Sequence, residues 1–235
     1  MKKLLCGTRF DHSGTEGPTI VDYTAPNKSH SALLTIDVQN DFVLPDAPAE
    51  IPGTHELVPN ICDLLLAFRE TGLPIIHVVR LYKPDGSNVE LCRRKFFEHG
   101  KRIVSPGTRG AELVSGLKLN EDVELNSPFL LAGGLQHVGK LEWIIYKPRW
   151  GAFYATRLEP HLRSLGVDTL VISGCNFPNC PRTTIYEASE RDFRIVLVTD
   201  AVSGLYEQGI KEMTNIGVHL MSAAGCRNWC SGTVP

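Results

Sequence analysis

A chain of 235 residues with 43% hydrophobic and 21% charged residues has an ordinary globular composition and enough apolar mass for a sizeable core. Its formal net charge of −2 removes the electrostatic case for nucleic acid or an anionic membrane surface as partner. No apolar run reaches the about 20 residues of a membrane span, and seven cysteines, odd in number and scattered, fit a reducing compartment better than a disulfide framework.

Residues 1–30 are rich in Gly, Thr, Ser, Pro and His without sustained periodicity, and are read as an irregular arm. The opening "MKKLLCG" imitates a secretory n-region, but its apolar part is only "LL", so a cytoplasmic protein is expected. "SALLTID" (31–37) is a buried strand bounded by "QND". "THELVPNICDLLLAFRETG" (54–72) has apolar residues at 57, 58, 61, 64, 65 and 68, which is helical spacing, with Thr54 as cap and Gly72 as stop. "PIIHVVRLY" (74–82) is the second strand. A long irregular stretch follows, with a short helix near "RGAELVSGL", before the third strand "LEWIIYK" (141–147).

From there the rhythm tightens into helix "TRLEPHLRSLG", strand "DTLVISG", helix "PRTTIYEASERDF", strand "RIVLVTDA", helix "YEQGIKEMTNIG" and strand "VHLMSA". Helices alternating with continuous apolar strands demand right-handed crossovers and a parallel sheet covered on both faces. The expected fold is therefore α/β, doubly wound, with a mainly parallel six-stranded sheet. The last ten residues, "CRNWCSGTVP", read as a tail; Cys226 and Cys230 have no second ligand pair, which disfavours zinc.

Ligands of such sheets bind beyond the carboxyl ends of the strands. Three chemically capable residues fall there: Asp37, Lys147 and, after a short loop, Cys180. Each has a plain alternative, respectively a turn cap, a snorkelling lysine and a small buried hydrophobe. Their convergence on one edge weakens all three alternatives together. Pro181 suits a first helical turn, so Cys180 reads as an N-cap whose thiol the helix dipole should acidify. Cys62 and Cys92 read as ordinary side chains.

The motifs "LLTIDVQNDF", "PGTRGAELVSGL", "YKPRWGAFYAT", "DTLVISGCNFPNC", "VLVTDAVSG" and "GVHLMSA", in this order, resemble the isochorismatase-like cysteine hydrolase superfamily over residues 31–225. The resemblance implies a hydrolase domain there, a Rossmann-like fold, and a triad of Asp37 as general base, Lys147 as orienting cation and Cys180 as nucleophile. It implies a cis peptide at Cys175–Asn176, with the N–H groups of Asn176 and Cys180 as oxyanion donors, although Phe177–Pro178 is a second candidate for the cis bond. Homo-oligomers, dimer or tetramer, are expected by the same analogy.

Nicotinamidases of this superfamily carry an Asp-x-His…His metal cluster after the second strand. The corresponding stretch here offers His77 and Asp85 without the cluster, so neither metal nor other cofactor is expected, and His77 reads as a satisfied core histidine. Isochorismatases themselves lack the cysteine, so Cys180 points to hydrolysis of a C–N bond in a small amide, ureido or carbamoyl compound. Gln39, Phe42, Arg80, Tyr82, Trp150, Phe153 and Phe177 are candidate substrate contacts, with Arg80 suited to a carboxylate or ureido oxygen through its planar fork. Two other readings stay open: a catalytically silent binding or regulatory paralogue, and a thiol redox protein using Cys175 and Cys180.

Overall fold

The computed structural model describes residues 21–232. Seven strands form one sheet: β1 (Ser31–Ile36), β2 (Ile75–Val79), β3 (Leu135–Gly139), β4 (Glu142–Tyr146), β5 (Thr169–Gly174), β6 (Arg194–Val202) and β7 (His219–Met221). Their order is β3-β4-β2-β1-β5-β6-β7, and every neighbouring pair is parallel except β3 with β4. The helices are α1 (Asn40–Val43), α2 (Val58–Thr71), α3 (Arg94–Glu98), α4 (Ser127–Leu131), α5 (Leu158–Ser164), α6 (Cys180–Ser189), α7 (Glu207–Asn215) and α8 (Ala223–Ser231). None is long and apolar enough to cross a membrane.

Burial explains the apolar runs. Every residue of β1, β2 and β5 is buried, as expected of parallel strands covered on both faces. Successive residues of a strand point to opposite faces. Leu33 accordingly joins Leu64, Leu65 and Phe68 of α2 in one core. Leu34 and Ile36 join Leu158 and Leu162 of α5 and Ile185 of α6 in the other. The α/β expectation holds. The seventh strand, β3, escaped sequence reading because it is a half-buried edge pairing antiparallel to β4, with a register break at Gly139 and no apolar run to mark it.

Three local expectations are corrected. Thr54 does not cap α2: it is fully buried and its hydroxyl donates to Ser203 Oγ at 2.9 Å, while a 3-10 turn at His55–Leu57 leads into the helix. The helix expected near "RGAELVSGL" is two separate 3-10 turns, Arg109–Ala111 and Ser115–Leu117. The expected tail instead contributes most of α8, which packs on α2 with Cys226 and Cys230 buried. Gly72 does end α2, in the left-handed conformation at φ 67°. The described part of the N-terminal arm is irregular apart from a 3-10 turn at Lys28–His30, and its Asn27 N–H donates to Thr169 Oγ1.

A buried polar chain crosses the sheet. Thr35 Oγ1 pairs with His77 Nδ1 at 2.8 Å and His77 Nε2 with Glu142 Oε1 at 2.8 Å, while Arg69 bonds both Glu142 oxygens at 2.7 and 2.9 Å. His77 is thus the satisfied core histidine its setting suggested. Burial alone would raise the Glu142 pKa, but the hydrogen bonds from Arg69 and His77 outweigh it and hold the carboxyl at about 2, below the ordinary 4.5. A carboxylate with a depressed folded-state pKa stabilises in full above its unfolded value and loses that contribution as pH falls through the folded one. The expected contribution is about 3 kcal/mol. Glu142→Gln should therefore narrow the stability difference between pH 7 and pH 2.5, as read by urea unfolding at the two pH values; an unchanged difference would refute this account.

Candidate active site

The chain runs outward from β1 through β2 to β4 and returns on the other side through β5, β6 and β7. The switch point lies beside β1, and the cleft it opens at the strand carboxyl ends is where three side chains meet. Asp37 follows β1 directly, in the left-handed region at φ 55°, a backbone uncommon outside glycine that turns its side chain toward the cleft loop. Lys147 follows β4, two strand spacings or about 9.6 Å away, and its long stem spans the end of β2. Cys180 is the first residue of α6, whose first turn contains Pro181; the N-cap is Asn179, one residue earlier than expected.

The geometry is tight. Lys147 Nζ lies 2.9 Å from Asp37 Oδ2, 3.2 Å from Cys180 Sγ and 3.2 Å from Arg149 O. Asp37 Oδ1 is buried and without a hydrogen-bond partner. The loop before Cys180 is clamped from three sides: Cys175 N–H donates to Ile36 O, Phe177 N–H to Ser203 O, and Cys175 Sγ to Asp37 O at 3.1 Å. Gly174 makes this approach possible. It sits at φ 113°, and a Cβ there would lie 2.2 Å from Ile36 O. The Cys175–Asn176 peptide is cis, and it is the one cis bond among the described residues, so Phe177–Pro178 is trans. Among the described residues the N–H groups of Asn176 and Cys180 have no acceptor.

Electrostatics corrects one expectation. Instead of being acidified by the helix start, the Cys180 thiol is pushed up to about 12, first by burial and then by the Asp37 charge, which together outweigh Lys147. For Lys147, burial would favour the neutral amine, yet Asp37 and then Cys180 raise its pKa above the ordinary lysine value. The resting cluster is carboxylate, ammonium and thiol, with no net charge. Ionising the thiol as well would leave an uncompensated negative charge in a desolvated site. Cys175 is pushed well above the ordinary thiol value by burial and then Asp37, and both it and Cys180 are free thiols.

An isochorismatase domain matches residues 31–128 and 136–225. The chain belongs to the isochorismatase family. It is 36% identical over 195 residues to a probable inactive nicotinamidase of Arabidopsis thaliana, covering 80% of this chain and 90% of that protein. It is 30% identical over 171 residues to the maleamate amidohydrolase of Pseudomonas putida, covering 73% and 71%. Among solved structures, an isochorismatase family protein of Desulfovibrio vulgaris matches with TM-score 0.73 and 36% identity, over 86% of this chain and 98% of that one.

In this isochorismatase-family chain the cavity above the triad is small, about 20 Å³, room for one or two waters. Four of the expected substrate contacts line it: Phe42, Arg80, Tyr82 and Trp150. Three do not. Gln39 is fully buried, and its amide is spent on the backbone, accepting from Arg80 N–H at 2.7 Å and donating to the carbonyls of Arg80 and Ala111 at 2.8 and 2.6 Å. Phe153 packs on Phe193 in the core. Phe177 is wedged against Tyr206 and Gly209, where a Cβ would meet its ring at 2.4 Å, so it braces the cysteine loop from behind.

Arg80 lines the cavity, but its outer nitrogens are committed: Nη1 donates to Lys147 O at 2.6 Å, and Nη2 to Asn88 O at 3.3 Å and Glu90 Oε1 at 2.5 Å. Tyr82 Oη donates to Glu90 Oε2 at 2.7 Å. The planar fork expected to take a substrate oxygen is thus occupied by the protein itself. Sequence reading missed Ile51, Glu90, Arg93 and Asn179 as lining residues. Only Asn179, beside Cys180, carried a local signal. The others lie in irregular segments whose path periodicity cannot trace.

No group of three or more His, Cys, Asp or Glu side chains among the described residues is placed to hold a metal ion. Both ring nitrogens of His77 are engaged in the core, and Asp85 is exposed, accepting from Ser87 N–H. The cavity's two carboxylates, Asp37 and Glu90, are each already paired with a cation. This donor set does not fit a metal.

Proposed function

We propose that this chain is a metal-independent cysteine hydrolase that cleaves the C–N bond of a small amide, ureido or carbamoyl compound through a thioester on Cys180. The observation that carries the reading is Lys147 Nζ bridging Asp37 and the Cys180 sulfur, beside two backbone N–H groups that have no acceptor. A site that is neutral at rest suits a reaction in which one proton moves within the cluster.

Asp37 takes the Cys180 proton as the sulfur attacks the carbonyl carbon, so a free thiolate never accumulates. The charge that develops on the carbonyl oxygen is received by the N–H groups of Asn176 and Cys180, donors of a kind worth about 3 kcal/mol each. Lys147 holds the acid and the sulfur together. Collapse breaks the C–N bond, and the leaving amine takes the proton from Asp37. The same carboxylate then removes a proton from water, which attacks the thioester; the acid product leaves and the thiol is restored.

Relatives named as amidohydrolases support the reaction class, the maleamate enzyme of Pseudomonas putida among them. The test is a panel of small primary amides, ureides and carbamoyl amino acids, with release of amine or ammonia followed. The Arabidopsis relative named as probably inactive favours a second reading, a silent paralogue. Folded protein that releases nothing from any compound of the panel would overturn the hydrolase and leave that reading.

A further inference from the structure

We propose that Arg93 is a specificity residue that pairs with a carboxylate on the substrate, so that the preferred compound is a small amide bearing one negative charge away from the scissile bond. This rests on the hydrolase reading above and names its substrate class.

The argument is one of charge balance inside the cavity. The lining includes five charged side chains: Asp37, Glu90, Arg80, Arg93 and Lys147. Two pairs cancel, Lys147 with Asp37 at 2.9 Å and Arg80 with Glu90 at 2.5 Å. Cys175 and Cys180 are neutral thiols in the resting site. Arg93 is left over. It lies at the end of the 3-10 turn Leu91–Arg93, is half-buried, and its guanidinium has no hydrogen bond or ion pair among the described residues. A neutral amide would leave that charge facing a cleft walled by Phe42, Ile51 and Trp150, a poor exchange for water.

A carboxylate would complete the balance, and the free planar fork of an arginine matches it bidentately. Arg80 cannot serve, because its outer nitrogens are held by Lys147 O, Asn88 O and Glu90. Arg93 and Trp150 are also lining side chains without hydrogen bonds of their own, so a shift of either to admit substrate breaks no hydrogen bond.

The probes are succinamate and butyramide, amides on the same four-carbon skeleton with and without the two carboxylate oxygens. For the wild-type enzyme kcat/KM should favour succinamate, and Arg93→Gln should lower that preference about 10- to 100-fold, with the loss in KM. Arg93→Lys should restore part of it. A preference unchanged within twofold in Arg93→Gln, or wild-type enzyme turning over butyramide as well as succinamate, overturns the proposal and leaves the hydrolase intact. If neither probe is hydrolysed, thermal shift by succinamate decides: a shift with Cys180→Ala that disappears with Cys180→Ala/Arg93→Gln supports the anion subsite while the reaction assignment fails. No shift with Cys180→Ala overturns the subsite as well.

Discussion

Cys180→Ala is expected to lower kcat about 10⁴-fold or more on any amide the wild-type protein hydrolyses. The magnitude follows from the division of labour in the site. Positioning and the two N–H donors survive the substitution, but the sulfur that would form the proposed covalent intermediate is removed, and Asp37 would have no Cys180 proton to accept. Stability should change by about 1 kcal/mol or less, because the sulfur contributes one hydrogen bond at 3.2 Å to Lys147 in a half-buried position. Cys180→Ser should also be slow, since a hydroxyl is a still weaker acid than the thiol in these surroundings. Steady-state kinetics alongside thermal unfolding checks both points. A folded Cys180→Ala protein keeping a tenth of wild-type turnover would end the nucleophile assignment.

Asp37→Asn separates the acid's two roles, base and counter-ion. Turnover should vanish, yet alkylation of Cys180 by iodoacetamide at pH 7 should become at least about tenfold faster. The sign follows from the charges. In the wild type the thiol pKa is raised by burial and then by Asp37, and lowered by Lys147. Removing the carboxylate cancels one raising influence and leaves Lys147, buried at 1% exposure, in need of an anion. The Cys180 thiolate is the group at hand, so thiolate and ammonium form the new pair. The stability cost should accordingly fall short of the about 3–5 kcal/mol usual for breaking a buried ion pair. Lys147→Met, which strips Asp37 of its ammonium with no cation in hydrogen-bond reach to replace it, should cost the full amount. Peptide mapping after timed alkylation and urea unfolding give the two readouts. Slower labelling in Asp37→Asn than in wild type would refute the charge account and place Asp37 as an activator of a resting thiolate.

Local pattern carried far where burial is periodic. The runs at 31–37, 74–82 and 141–147 and the alternation after residue 157 lead to a parallel sheet, because strands covered on both faces must be apolar throughout. Strand carboxyl ends then locate Asp37, Lys147 and Cys180 without coordinates. The same reasoning passed over β3, a half-buried edge, and took α8 for a tail because the helix is short and its apolar residues, Ala, Cys and a single Trp, form no continuous run. It assigned Gln39, Phe153 and Phe177 to substrate by proximity along the chain. Their environments instead turn Gln39 to backbone carbonyls and the two rings into the core.

The amino-acid sequence by itself determined the doubly wound sheet and which acid, amine and thiol share its rim, since both depend on hydrophobic period and on position along strands. Only the tertiary structure decided the protonation of that thiol, the commitment of Arg80 to Glu90 and the unpaired charge of Arg93. These depend on which charges lie within a few ångströms in a desolvated space, and residues 10 to 143 positions apart along the chain, as Arg80 is from Glu90 and Asp37 is from Cys180, have no hydrophobic period that reports it.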